Sequence, residues 1–282
     1  MKLSMVKPAR HSRSGELLER ATLALRMNRL GEAEQLASEV LRAERGNVLA
    51  ASLLGQSLLA QNRPGEAITP LEKAARRSSD PPLETLLAIA LASSGQRDAA
   101  LAQLRKTTAR RSFFPPAFRE LASQLARSGE NEQAIATLET CLAQTPDLVE
   151  LQMDLGALHL GRNERIRARA ALTKALAVAP GRPDVLALLA RIMLLDGEYA
   201  SAADAYRQAL AERPDDGMTR AEFAVCLMAM GQRDCGEANL RAAMRDRPQL
   251  LFFAIHSLAA PRHGRFFLRP SAVTKFLQDE TR

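Results

Sequence analysis

GEYASAADAYRQAL, residues 197–210, opens on a glycine, sets a small residue five positions on (Ala202) and a large apolar one nine positions on (Tyr206). Glycine suits a turn or a helix C-cap. Small and large residues alternating at helical spacing describe one buried face. Six other segments keep the same order: NRLGEAEQLASEVL from Asn28, NRPGEAITPLEKAA from Asn62, GQRDAALAQLRKTT from Gly95, GENEQAIATLETCL from Gly129, NERIRARAALTKAL from Asn163 and GQRDCGEANLRAAM from Gly231. In chain order the first residues of the seven lie 34, 33, 34, 34, 34 and 34 apart. A steady period of this length marks an array of supersecondary units, each stacked on its neighbours.

Aligned on the turn, two columns contain only small residues. One reads Ala33, Ala67, Ala100, Ala134, Ala168, Ala202 and Gly236, and the other, seven residues before the turn, reads Ala21, Gly55, Ala88, Ala122, Gly156, Ala190 and Ala224. Where two antiparallel helices cross tightly, a larger side chain would push the axes apart. Large apolar columns lie beside them: Ala37, Leu71, Leu104, Leu138, Leu172, Tyr206 and Leu240 after the turn, and Arg20, Leu54, Leu87, Leu121, Leu155, Leu189 and Phe223 before it. The last four units close with Pro146, Pro180, Pro214 and Pro248, where proline cannot continue a helix.

This pattern resembles the tetratricopeptide repeat family, whose unit is a helix–turn–helix carrying L-G, then A-x3-F, then P. The resemblance runs from residue 14 to about residue 250 as seven tandem repeats. It implies an all-α fold: a right-handed superhelical solenoid of about seven repeats, a basic tail at 1–13, and a capping helix with an aromatic and basic segment at 251–282. The sequence departs from the family in three places. The early aromatic position is filled mostly by aliphatics, though Phe118 occupies it in the fourth repeat, Arg20 stands at an apolar position in repeat one, and Gly236 replaces alanine in repeat seven. End repeats are often atypical because one face meets solvent.

In the family the first helix of each pair lines a concave groove that holds a partner peptide. Carried over, the groove positions are Arg119, Ser123 and Arg127 in repeat four and Met153, Asp154 and Ala157 in repeat five. Repeat six gives Ala187, Arg191 and Leu194, and repeat seven gives Glu222, Val225 and Met228. The arginines suit an acidic peptide, by charge-assisted hydrogen bonds, or pairing with Asp154 and Glu222. The methionines suit varied apolar partners or ordinary packing. Leu18, Thr22, Ser52, Gln56, Thr85 and Ile89 stand where chaperone-binding relatives carry the Lys and Asn set that grips a peptide's C-terminal carboxylate, which disfavours that clamp.

Composition agrees with helices. Ala, Leu, Arg, Glu and Gln dominate, Trp is absent and β-branched residues are sparse. The preference for Arg over Lys and the abundance of Ala suggest a GC-rich bacterial source. The formal charge is +7, but residues 1–13 hold four cations and no acid, and residues 251–282 hold five cations against two acids. The body between them is neutral, so any local basic stripe there needs a compensating acidic face. Nucleic-acid binding is therefore not expected, although GRFFLR in the C-terminal segment permits base stacking.

Five of the nine Phe lie in the last 32 residues. LFFAIHSLAA reads as a further helix from about Leu250, and Ser271 as the cap of a short helix with Val273, Phe276 and Leu277 on one face. Arg265, Phe266, Phe267, Leu268 and Arg269 then form either a packed end of the last repeat or a docking motif. Phe113 and Phe114, before Pro115 and Pro116, read as a plug in the seam between repeats three and four.

Residues that would carry catalysis are not arranged for it. The four histidines form no pair at i, i+3 or i, i+4, and Cys141, Cys226 and Cys235 have no metal-ligand spacing. No phosphate-binding glycine loop and no GxSxG elbow occurs. No metal, cofactor or enzymatic activity is expected. The odd cysteine count, the lack of an apolar signal core and the lack of a run of ~20 apolar residues suit a cytoplasmic chain with no membrane span. The expected role is a protein-interaction scaffold binding a protein or peptide in the groove, with its oligomeric state open. The alternative is a regulatory or substrate-presenting subunit of a separately encoded sulfotransferase, oxygenase or glycosyltransferase.

Overall fold

A computed structural model describes residues 13–245, 247–259 and 270–278. Within them the chain is all-α. Eight helices precede residue 143: α1 (Arg13–Arg26), α2 (Leu30–Ala43), α3 (Val48–Ala60), α4 (Pro64–Ala75), α5 (Pro81–Ser93), α6 (Arg97–Thr108), α7 (Pro115–Arg127) and α8 (Asn131–Leu142). Eight follow: α9 (Val149–Gly161), α10 (Arg165–Val178), α11 (Pro183–Asp196), α12 (Tyr199–Glu212), α13 (Gly217–Ala229), α14 (Arg233–Arg245), α15 (Leu251–Ala259) and α16 (Pro270–Gln278). They divide into two compact units that meet in sequence at Cys141 and Leu142.

The seven turn residues read from the sequence all have left-handed backbone. Asn28, Asn62 and Asn163 have φ of 57°, 58° and 59°, and Gly95, Gly129, Gly197 and Gly231 lie between 81° and 86°. Only glycine, and less readily asparagine, adopts that conformation cheaply, which reverses the chain within three residues. Other signals start the helices. Asn47, Asp80 and Asp216 accept backbone N–H bonds from Ala50, Leu83 and Thr219 as N-caps. Pro64, Pro81, Pro115 and Pro183 stand at helix starts, where no N–H is needed.

The two small columns are the helix crossings. Every alanine in them is buried, none above 2% exposed. Gly55 and Gly156 show how tight the fit is: a Cβ on Gly55 would lie 2.9 Å from Leu71 Cδ1, and one on Gly156 2.7 Å from Leu172 Cγ. Leu71 and Leu172 belong to the large column, and each fills the space its glycine leaves. That whole column, Ala37 to Leu240, is 0% exposed. Burying one such leucine contributes about 1.5–3 kcal/mol.

In the first unit α1, α3, α5 and α7 pack in succession, as do α9, α11 and α13 in the second. First helices therefore lie against first helices, which builds one continuous face per unit. The last pair is covered. Ala254 and Leu258 of α15 and Val273 and Leu277 of α16 join Ala224, Met228 and Leu240 in one cluster. The Arg241 guanidinium sits 4.9 Å over the Phe276 ring. Val273, Phe276 and Leu277 thus lie on one helix, with Val273 and Leu277 in that cluster and Phe276 packed against it. Phe113 meets Phe118 at 5.4 Å between ring centres, so it packs on the aromatic position of its own unit.

Candidate protein-binding face

The first-helix face of the second unit centres on a buried carboxylate. Glu222 of α13 is 5% exposed. Arg191 of α11 donates from Nε to Glu222 Oε1 at 2.7 Å, and the Tyr206 hydroxyl of α12 donates to Oε2 at 2.9 Å. Three helices thus converge on one side chain. Tyr206 stands in the column filled mostly by leucine elsewhere, and its extra hydroxyl reaches the acid.

Burial, reinforced by the Glu222 charge, pushes the Tyr206 hydroxyl far above its ordinary range. Burial and Glu222 also push the Cys226 thiol, one helical turn from Glu222, up to about 12. For Arg191, burial opposes the charge, but the proximity of Glu222 outweighs it and raises the guanidinium above its ordinary value. Arg191 remains 38% exposed. Its Nε is committed to Glu222, while neither Nη makes a hydrogen bond with a described residue. A guanidinium held this way presents its outer nitrogens in one orientation, ready for a carboxylate.

The other carried-over residues differ in accessibility. Met153 is half-buried against the cluster that holds Val149, Leu172 and Val185, and Leu194 is half-buried against the cluster that holds Ala190 and Tyr206. Asp154 is half-buried and already engaged within the chain. In the first unit Ser123 is half-buried. Arg119 is exposed yet engaged, while Arg127, in the last turn of α7, is exposed and unpaired among the described residues.

Two positions depart from the groove reading. Met228 is 3% exposed and belongs to the core of the last pair. The Cβ that Gly236 lacks would fall 2.4 Å from Met228 Cγ, so the glycine of repeat seven makes room for that methionine. Glu222 serves Arg191 and Tyr206 from within. Arg265, Phe266, Phe267, Leu268 and Arg269 lie outside the described residues, as does the N-terminal tail up to residue 12.

A second buried carboxylate was not anticipated. Glu84 of α5 is 1% exposed and is gripped by Arg110, whose Nε reaches Oε2 at 3.0 Å and whose Nη2 reaches Oε1 at 2.5 Å. The Thr107 hydroxyl adds a bond of 3.0 Å to Oε2. The available signal was the acid at an otherwise apolar stretch of α5, PPLETLLAIALAS. Among the described residues no group of His, Cys, Asp and Glu is placed to hold a metal ion, and no helix is long and apolar enough to cross a membrane.

Comparison with known proteins agrees with this architecture. One family model described as a tetratricopeptide repeat matches residues 18–81 and 85–149, and a second of the same description matches 125–192 and 193–260. No curated protein matches the chain in sequence. Among solved structures, the C-terminal part of a TPR repeat-containing protein from Cytophaga hutchinsonii superposes with a TM-score of 0.63 at 15% identity, covering 86% of this chain and 99% of that one. PilF of Pseudomonas aeruginosa gives 0.59 at 16% identity, over 71% and 92%. MamA from Desulfovibrio magneticus RS-1, residue 41 to the end, gives 0.50 at 22% identity, over 60% and 97%. At such identities the likeness concerns the fold.

Proposed function

The chain belongs to the tetratricopeptide repeat family, and we propose that it is a non-catalytic scaffold that holds a peptide or a partner protein on the first-helix face. The observation that carries this reading is Arg191: a half-exposed guanidinium braced from behind by Glu222, which Tyr206 holds in turn, with its outer nitrogens uncommitted among the described residues. A partner carboxylate would complete its hydrogen bonds, while Met153, Leu194 and Val225, all half-buried, offer apolar contact on the same set of helices. A scaffold of this kind needs no cofactor.

Affinity capture with the full chain tests the proposal. The native protein should retain a reproducible set of proteins, and Arg127→Glu combined with Arg191→Gln should lose them while staying folded, at a stability cost no larger than about 1–3 kcal/mol. Retention of the same set by that variant removes the first-helix face as the binding surface. A native chain that retains nothing above background removes the scaffold reading.

A further inference from the structure

A cleft away from the Arg191 cluster lies mainly on the second helices of the first two pairs. Between α2 and α4, Leu41 and Pro70 together with Leu54 of α3 line a cleft of about 600 Å³, rimmed by Arg42, Arg45 and Lys73 with Ser38 and Thr69. The three cations are exposed, and none makes an ion pair or side-chain hydrogen bond with a described residue. The carboxylates closest in sequence are occupied: Glu39 pairs with Arg13 at 2.8 Å, Glu44 accepts from Asn47 Nδ2 at 2.8 Å, and Glu72 faces Arg76 at 3.7 Å.

Other charged clefts contrast with this one. The cleft around α10 is also lined by arginines, but Arg165 and Arg169 are consumed by Asp196 and Glu198 at 2.7 to 2.9 Å. In the smaller cleft at Pro214 and Arg247, Arg220 donates to the Pro214 carbonyl at 2.6 Å and Arg245 is also engaged. In a body without net charge, three adjacent cations with no internal partner repel one another. The counter-charge they lack can come from a ligand.

We propose that the α2–α4 cleft docks an acidic peptide, with one aliphatic side chain on Leu41, Leu54 and Pro70 and flanking carboxylates on Arg42, Arg45 and Lys73. The lining selects this occupant. It has no aromatic ring on which a nucleobase could stack. It is a concave slot with its apolar atoms on the floor, whereas a bilayer surface takes up projecting apolar side chains. Alternating acid and aliphatic side chains match both the rim and the floor. The site is separate from the first-helix face, so one chain can hold two partners, or two segments of one partner.

Fluorescence anisotropy on the full chain tests this with a labelled peptide of repeated Asp-Leu-Glu triplets. The peptide should bind, and binding should weaken when salt rises from about 0.01 M to about 0.15 M, which shortens the screening length from about 30 Å to about 8 Å. Arg42→Gln, Arg45→Gln and Lys73→Gln together should weaken it about tenfold or more, and Arg207→Gln, at an exposed arginine of α12, should leave it unchanged. Reversal to Glu at the same three positions should switch preference to a Lys-Leu-Lys peptide, and both variants should melt no lower than native. Equal binding of the acidic peptide by native and Gln variants overturns the proposal. So does tighter binding of an oligothymidylate or of phosphatidylserine vesicles than of the peptide.

Discussion

Each unit buries one carboxylate on a first helix, Glu84 on α5 and Glu222 on α13, and the two are neutralised in opposite ways. Glu84 in the first unit is closed by the Nε–Nη2 edge of Arg110 and by Thr107. Glu222 in the second receives one nitrogen of Arg191 and the Tyr206 hydroxyl, and the remainder of the guanidinium stays uncommitted among the described residues. A fork-on-fork pair turns a whole edge of the guanidinium to one acid, whereas a single Nε bond orients it and leaves both Nη groups available. The first arrangement serves the fold, and the second is the one proposed to serve a ligand.

The contrast predicts a graded series in thermal melts of the full chain. Arg110→Ala should be the most damaging, about 3–5 kcal/mol, because Glu84 is left buried beside no cation. Arg191→Ala should cost less, about 1–3 kcal/mol. Glu222 keeps the Tyr206 hydroxyl, and water can take the place of a side chain that is 38% exposed. Equal losses for the two would erase the distinction between a sealed pair and an open one. Tyr206→Phe keeps the volume that fills the leucine column and removes one hydrogen bond, so about 1 kcal/mol is expected. A loss as large as that of Arg110→Ala would show Tyr206 to be the main support of Glu222.

The smallest effect is chemical. Cys226 is buried and its thiol is pushed up to about 12, so raising the pH to 9.0, an ordinary thiol's midpoint, leaves it protonated. Iodoacetamide should then modify exposed Cys235 and spare Cys226 in the native chain. Arg191→Ala, which loosens the group around Glu222, should raise Cys226 labelling detectably by mass spectrometry. Fast labelling of Cys226 in the native protein would contradict a closed cluster there.

Much of the fold was legible because each requirement falls on a single residue type. A three-residue reversal needs positive φ, so glycine or asparagine recurs at Asn28, Asn62, Gly95 and their successors. A tight crossing needs a small side chain, so Ala168 and Gly156 stand in uniform columns. The site was less legible because its partnerships join residues far apart in sequence. Tyr206 and Glu222 are 16 residues apart and sit on different helices, and Glu84 meets Arg110 across 26 residues. Register places Tyr206 in the large apolar column and Glu222 at a groove position, and says nothing of which hydroxyl reaches which acid. Met228 was read as a groove residue because register alone assigned it there, while the space beside Gly236 drew it into the core. The unmatched cations at Arg42, Arg45 and Lys73 escaped for the same reason: a charge count over the body is neutral whether or not individual charges meet.

The central claim is that a partner is held on the first helices, with Arg191 at the centre of contact. Hydrogen–deuterium exchange of the full chain, with and without a partner recovered by affinity capture, tests it most directly. Slowed exchange concentrated on α11 and α13, and abolished by Arg191→Gln, is the predicted result. Protection confined to α10, α12 and α14, or unchanged by that substitution, would contradict the account.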